Sequence, residues 1–171
     1  HNAILRYNYE DLFIMKIGLG LVYNNGVNAL KVNFETAGNL LSAFSTLSIF
    51  GKNDDGQNTL FNIAYAQYVK ADIDATHMIK LSPTSELVLH GGFGIAYPYG
   101  NSKVLPFEKR YFSGGANSVR GWSVRGLGPG SYSGNDGRID FINQTGDIKL
   151  DFNIEYRTFL FWKFYGAAFI D

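Results

Sequence analysis

The sequence predicts an all-β protein: a partial antiparallel transmembrane β-barrel of about six strands, with one long loop folded inward. Three observations predict it. Apolar and polar residues alternate with a period of two in several stretches, which is the mark of strands with one apolar face. Two of these runs, 61–79 and 85–99, exceed ordinary strand length and match what a tilted strand needs to cross a bilayer. Connections between strands alternate between short and long, so that all short turns fall on one side and all long loops on the other.

The chain has 171 residues, enough for one domain, 1–171. Its formal net charge is zero, which removes any bulk electrostatic case for nucleic acid or an anionic surface. There are no cysteines, so disulfides and cysteine-based metal sites are excluded. No run of apolar residues is long enough for a membrane-spanning helix. Aromatic residues at 16% and 20 glycines are both high, whereas 4 prolines are too few for a disordered chain. No signal peptide heads the sequence, so on an envelope reading it is a mature fragment that breaks off in mid-pattern at Asp171.

In chain order, a weak strand is expected from about Leu12 to Tyr23, closed by a turn at Asn24-Asn25-Gly26. From Asn28 to Glu35, Leu30, Val32 and Phe34 oppose Lys31, Asn33 and Glu35. A long connection covers about 39–59. From Phe61 to Thr76, Phe61, Ile63, Tyr65, Val69 and Ile73 share a face, with Asn62, Lys70, Asp72 and Asp74 opposite. A short turn at Ser82-Pro83-Thr84-Ser85 leads into 86–97. There Leu87, Leu89, Phe93, Ile95 and Tyr97 alternate with Val88, His90, Gly92, Gly94 and Ala96. The cleanest alternation is Asp147 to Arg157: Ile148, Leu150, Phe152, Ile154 and Tyr156 against Asp147, Lys149, Asp151, Asn153, Glu155 and Arg157. A short turn near Phe159 to Lys163 and a weaker strand from Phe164 to Asp171 end the chain. Tyr23, Tyr97, Tyr99, Tyr156, Phe159 and Trp162 lie near strand ends, where interfacial girdles form.

Alternation alone fits a soluble β-sandwich equally well. Two features favour the barrel. The polar face carries mixed-sign clusters and, in one strand, the small residues Gly92, Gly94 and Ala96, as if something must fit against them. The strands are also too long for a compact sandwich of this size. A sandwich would place Phe93, Ile95, Phe152 and Ile154 in one core.

The connection at 100–144 holds the segment from Pro106 to Ser133, PFEKRYFSGGANSVRGWSVRGLGPGSYS. It is too rich in glycine and charge for a strand or helix, and its large aromatics do not suit a disordered linker. Loops of this length are usually functional.

Within it, GGANSVRGW followed by GLGPGSYS resembles the sixth loop of the BamA/TamA superfamily of outer-membrane barrel assembly factors. The hallmark pairs Gly114-Gly115 with Val119-Arg120-Gly121-Trp122. NFETAGNLL resembles that family's strand after a periplasmic turn, and YPYGNSKVLPFEKRYFSGGANS its approach to the loop. LDFNIEYR and GAAFID resemble the two strands that follow, with acidic residues at Glu155 and Asp171. The likeness runs from about Leu12 onward and is nearest the TamA-like branch, including its lipid-anchored versions. It implies a barrel of roughly sixteen strands, whose early strands, POTRA domains, C-terminal recognition strand and gate seam lie outside these residues.

The resemblance implies a structural latch. An arginine folded into a lumen stays charged and needs carboxylate partners, and the family supplies them as Glu155 and Asp171. Alternation independently puts Glu155 on the polar face; the facing of Asp171 is open. Gly121 is expected to allow a tight turn or close approach, Trp122 to pack beside the ion pair, and Gly114 and Gly115 to relieve crowding where the loop doubles back. Without the resemblance, Arg120 reads as a solvated loop arginine. Lys70, Asp72 and Asp74 read as lumen-facing polar residues of a channel wall.

The implied function is outer-membrane protein assembly and insertion, non-enzymatic and without cofactors, in the bacterial outer membrane. The implied partners are the lipid bilayer, client β-barrel or autotransporter-like polypeptides, and a partner protein that spans the periplasm. One competing reading is a secretion pore that exports a partner polypeptide. Another is a barrel enzyme such as a lipase or protease, but no Ser/His/Asp or paired-carboxylate constellation converges. His77 and His90 show no ligand spacing. Neither HExxH nor GxSxG occurs. The run Gly126, Gly128, Gly130 lacks the strand-turn-helix frame of a nucleotide loop, and the sequon at Asn143 is read as chance.

Overall fold

The computed structural model describes residues 11–116, 118–128, 130 and 144–171. In order these form β1 (Leu12–Phe13), β2 (Lys16–Asn24), β3 (Asn28–Ala37), the short helix α1 (Asn39–Ala43), β4 (Phe50–Lys52), β5 (Asn58–Leu60) and β6 (Ile63–Tyr65). Next come β7 (Tyr68–Ser82), β8 (Ser85–Pro98), a 3-10 turn (Phe107–Lys109), β9 (Ile148–Phe161) and β10 (Phe164–Ile170). The long strands make one six-stranded sheet in the order β10-β9-β8-β7-β3-β2. Neighbours in it follow sequence order, an up-and-down arrangement in which only the long connections interrupt the chain. No described helix is long and apolar enough to cross a membrane.

The faces of β9 decide between barrel and sandwich. Asp151 is 7% exposed, whereas its neighbour Phe152 is 66% exposed. Ile148, Leu150, Ile154 and Tyr156 point outward with Phe152. Phe93 and Ile95 on β8 do the same. A soluble sandwich buries its apolar face; this sheet presents that face outward and keeps its carboxylates within, as a barrel wall in lipid must. The predicted all-β partial barrel is therefore the fold. Pairing of β10 with β9 sets Phe169 opposite Glu155 and Ile170 opposite Ile154. Paired residues share a face, so Phe169, and by alternation Asp171, lie with Glu155 on the polar side.

Chain packing resolves two compact units. One comprises Asn33–Ala71 and Ile95–Arg110 with the chain up to Leu19. It holds the four-stranded sheet β1-β6-β5-β4, in which β1 runs parallel to β6 and β5 antiparallel to β4 and β6. Its core is apolar and aromatic: Ala37, Tyr65, Ala66, Tyr68 and Leu105 are buried. An amide knot ties its loops. The Asn101 side chain donates to the carbonyls of Asn58 and Tyr65, each at 2.9 Å, and accepts from the Asn58 amide at 2.6 Å. The Gln67 carbonyl oxygen accepts the Asn101 amide at 2.9 Å.

The other unit comprises Gly20–Val32, Asp72–Gly94 and Tyr111–Asp171. Among its described residues Val88 is the buried hydrophobe, while Ser118, Gln144 and Asp151 are buried polar groups. Its turns are side-chain built. At the predicted Asn24-Asn25-Gly26 turn, Asn24 Oδ1 accepts the Gly26 amide at 2.8 Å and Asn25 Oδ1 accepts the Asn28 amide at 2.6 Å.

Some sequence expectations are corrected. The run 61–79 is not one strand: Phe61 and Asn62, both with positive φ, form the two-residue turn between β5 and β6, and β6 ends at Tyr65 before β7 begins at Tyr68 in the other sheet. The stretch NFETAGNLL is a strand only as far as Ala37, because Gly38 turns left-handed and α1 follows. A Cβ at Gly38 would lie 2.3 Å from the Ala66 carbonyl oxygen, so only glycine fits. Of the proposed girdle aromatics, Tyr23, Tyr97, Tyr156 and Trp162 point outward. Phe159 instead packs edge-on against Tyr165, and Tyr99 donates its hydroxyl to Asn39.

Candidate functional site

Glycine and backbone pairing shape the loop before any charge matters. Tyr111 and Gly146 exchange two backbone hydrogen bonds at 2.8 Å, which closes the loop at its base. Higher up, the Gly115 amide donates to the Trp122 carbonyl at 2.9 Å, and the Trp122 amide to the Val119 carbonyl at 3.2 Å. Gly114 and Gly115 have φ of 98° and 96°. A Cβ on Gly114 would lie 2.2 Å from the Ser123 carbonyl oxygen. These two glycines therefore permit the doubling-back that carries residues 118–122 toward the sheet.

Arg120 then meets β9 and the end of β10. Its backbone amide donates to Asp171 Oδ2 at 2.7 Å, its Nη2 to Asp171 Oδ1 at 2.7 Å, and its Nε to both Asp171 oxygens at 3.0 and 3.2 Å. Its Nη1 donates to Glu155 Oε2. The two carboxylates raise the Arg120 pKa above its already high ordinary value, so the guanidinium is charged at any working pH. The fork thus spans carboxylates from two segments, a geometry a lysine could not reproduce.

Residues that sequence reasoning missed complete the shell. The Phe169 ring lies 3.6 Å from the Arg120 guanidinium carbon, a cation–π contact. Asn153 donates from Nδ2 to Asp171 Oδ1 at 2.8 Å and to the Ser118 carbonyl at 2.9 Å. The Ser118 hydroxyl donates to Asp151 Oδ1 at 3.1 Å. Arg157 Nε donates to the second oxygen of Glu155 at 2.5 Å. Alternation had placed Asn153 on the right face but gave no reason to single it out. Phe169 belongs to the aromatic-x-Asp pattern of GAAFID, but periodicity gave it no inward facing, since an aromatic on a barrel strand reads as lipid-facing.

Two expected roles are not met. Trp122 is 53% exposed, and Phe169 occupies the place beside the guanidinium. Gly121 has nothing within 4 Å of where a Cβ would stand and is not among the positive-φ residues, so neither a tight approach nor a left-handed turn requires it.

Of the small residues of β8, Gly94 has a close partner. A Cβ on Gly94 would lie 2.6 Å from the Tyr111 ring, which therefore sits in a notch only glycine leaves open. The Tyr111 hydroxyl donates to Asp72 Oδ1 at 2.5 Å. Lys70 donates to the Lys109 carbonyl at 3.3 Å, Asp72 holds Tyr111, and Asp74 lies 3.0 Å from His90. His77 contacts Asn28 at 2.6 Å. Among the described residues no group of side chains could hold a metal ion. Asn117, Pro129 and the whole stretch 131–143 of the loop reading, Asn143 included, lie outside the described residues.

An outward apolar wall, polar inner face and loop returning to that face define an outer-membrane β-barrel. The Omp85 superfamily domain matches residues 56–171, and the chain belongs to that superfamily, in the bacterial outer membrane. Over 66 residues it is 42% identical to the outer membrane protein assembly factor BamA of Neisseria meningitidis serogroup B. That stretch covers 39% of this chain and 8% of the relative.

Proposed function

We propose that this chain is the C-terminal barrel region of an outer-membrane protein assembly and insertion factor, non-enzymatic, of the translocation and assembly module type. Residues 100–144 are its inward-folded loop, and Arg120, Glu155 and Asp171 are the latch that holds the loop in the lumen. The single observation that carries this reading is one guanidinium bonded to carboxylates from β9 and from the end of β10. Its contacts are ion pairs and hydrogen bonds, which suit holding a loop in place. The name of the meningococcal relative supports the assembly role. The loop would keep the barrel wall in register while client strands pair with exposed strand edges, whose free backbone groups accept a new strand. The bilayer and unfolded client barrels are then the partners, together with a protein spanning the periplasm.

In the full-length protein, Arg120→Ala and Asp171→Ala should lower the temperature at which the folded band converts to the unfolded one on a gel. They should also slow client insertion into proteoliposomes several-fold. If both variants match the wild type in both assays, the latch reading is wrong. Export of a polypeptide without insertion of any barrel client would favour a secretion pore instead.

A further inference from the structure

One histidine in the second unit is built into the shell around Arg120. His90 stands on the polar face of β8, its Nδ1 2.6 Å from Asn153 Oδ1 and its Nε2 3.0 Å from Asp74 Oδ2. The orientation of the Asn153 amide is fixed independently of the ring. Its nitrogen lies 2.8 Å from Asp171 Oδ1 and 2.9 Å from the Ser118 carbonyl, and both of those only accept. The amide oxygen must therefore face His90, and it too only accepts, so Nδ1 must donate. The Asp74 carboxylate makes the same demand of Nε2. An imidazole that donates from both nitrogens is the imidazolium.

We propose that protonated His90 is a positioning residue of the latch. It holds Asn153, which in turn holds Asp171 and Ser118 against Arg120, so the grip on the loop weakens as pH rises through the histidine range. The inference rests on the latch reading above. Its sign follows from the contacts. Both exist in the charged form and are therefore present at low pH, and one is lost when the proton leaves. Without a proton on Nδ1, its lone pair faces the Asn153 oxygen. Turning the amide to relieve this would aim that oxygen at Asp171 and the Ser118 carbonyl. Without a proton on Nε2, the ring loses Asp74, which is half exposed and can turn to water. The charged groups around the ring are Asp74 from β7, Lys31 from β3, Glu155 and Arg157 from β9, and Arg120 from the loop. With them are Asp151, which is paired to Lys149 at 2.9 Å, and Asp171 through Asn153. Asp74, Lys31, Glu155, Arg157 and Arg120 line, with His90 itself, an open cavity of about 580 Å³, through which water and protons reach the ring.

The test uses full-length protein in detergent, taken from about pH 5 to about pH 9 across the histidine range. The band-unfolding temperature should fall by several degrees across the series in the wild type and stay flat in His90→Gln. Asp74→Asn should reduce the slope. Nitrogen NMR of labelled histidine should show both His90 ring nitrogens protonated at the acid end, with one proton lost toward the basic end. Equal slopes in wild type and His90→Gln, or a singly protonated ring throughout, would overturn the proposal. Should His90→Gln fail to fold, the NMR signature and the Asp74→Asn slope decide. If Arg120→Ala is silent, the latch reading fails and this one with it. If Arg120→Ala destabilises the barrel but keeps the wild-type pH slope, only the role of His90 is wrong.

Discussion

The two units of this chain are built on opposite solvent rules. The unit containing β4, β5 and β6 buries Tyr65, Tyr68 and Leu105, like any water-soluble core. The unit containing β9 and β10 buries Asp151 and Ser118 while Phe152, Ile148 and Leu150 face outward. Burial of apolar surface stabilises the first. In the second, hydrogen-bonded charge fills the inside and the bilayer takes the apolar face. The difference teaches that a residue's side-chain class does not say which way it points in this protein. What decides is which of the two environments its backbone serves.

Four substitutions would break this contrast, with effects that fall from the first to the last. Tyr65→Ala leaves a large cavity in an aromatic core and should cost about 3–5 kcal/mol. Denaturant unfolding of the detergent-solubilised protein would show it, and a loss under about 1 kcal/mol would mean the site is no true core. Phe152→Arg puts a charge on the lipid face and should cost about 2–4 kcal/mol in a bilayer, least if the site lies near an interface. A folded yield in vesicles equal to wild type would place β9 away from lipid. Gly94→Val closes the notch that seats Tyr111 and should cost roughly 1–3 kcal/mol as overpacking. Limited proteolysis should then cut within the loop sooner than in wild type; unchanged cleavage would show that Tyr111 does not need the notch. Gly121→Ala is the smallest, within about 0.5 kcal/mol, because the position is open and its backbone unstrained. A clear fall in unfolding temperature for this variant would mean that Gly121 has a role beyond the geometry seen.

The same contrast explains what could be read from the residues alone. Long strands advertise themselves by period two, so β8 and β9 were legible, and with them the inward facing of Glu155. The strands β4, β5 and β6 are three residues each, too short for any period to emerge, and the knot that fixes them depends on Asn101 and Gln67 from distant positions. Arg120 was legible through its motif. Asp171 could be oriented only through the register of β10 on β9, which a single sequence does not contain. Phe169 was misleading because an aromatic that stacks on a guanidinium and one that meets lipid look alike in sequence.

Arg120 lies 51 residues before Asp171. The loop is therefore synthesised well ahead of the carboxylate that grips it most fully, and that grip cannot form until β10 has been laid beside β9. The bond therefore reports that β10 is in place. A sheet without β10 leaves the arginine without its Asp171 partner, and one that reaches the end of β10 supplies it. The contact thus distinguishes a sheet in which β10 has paired from one in which it has not.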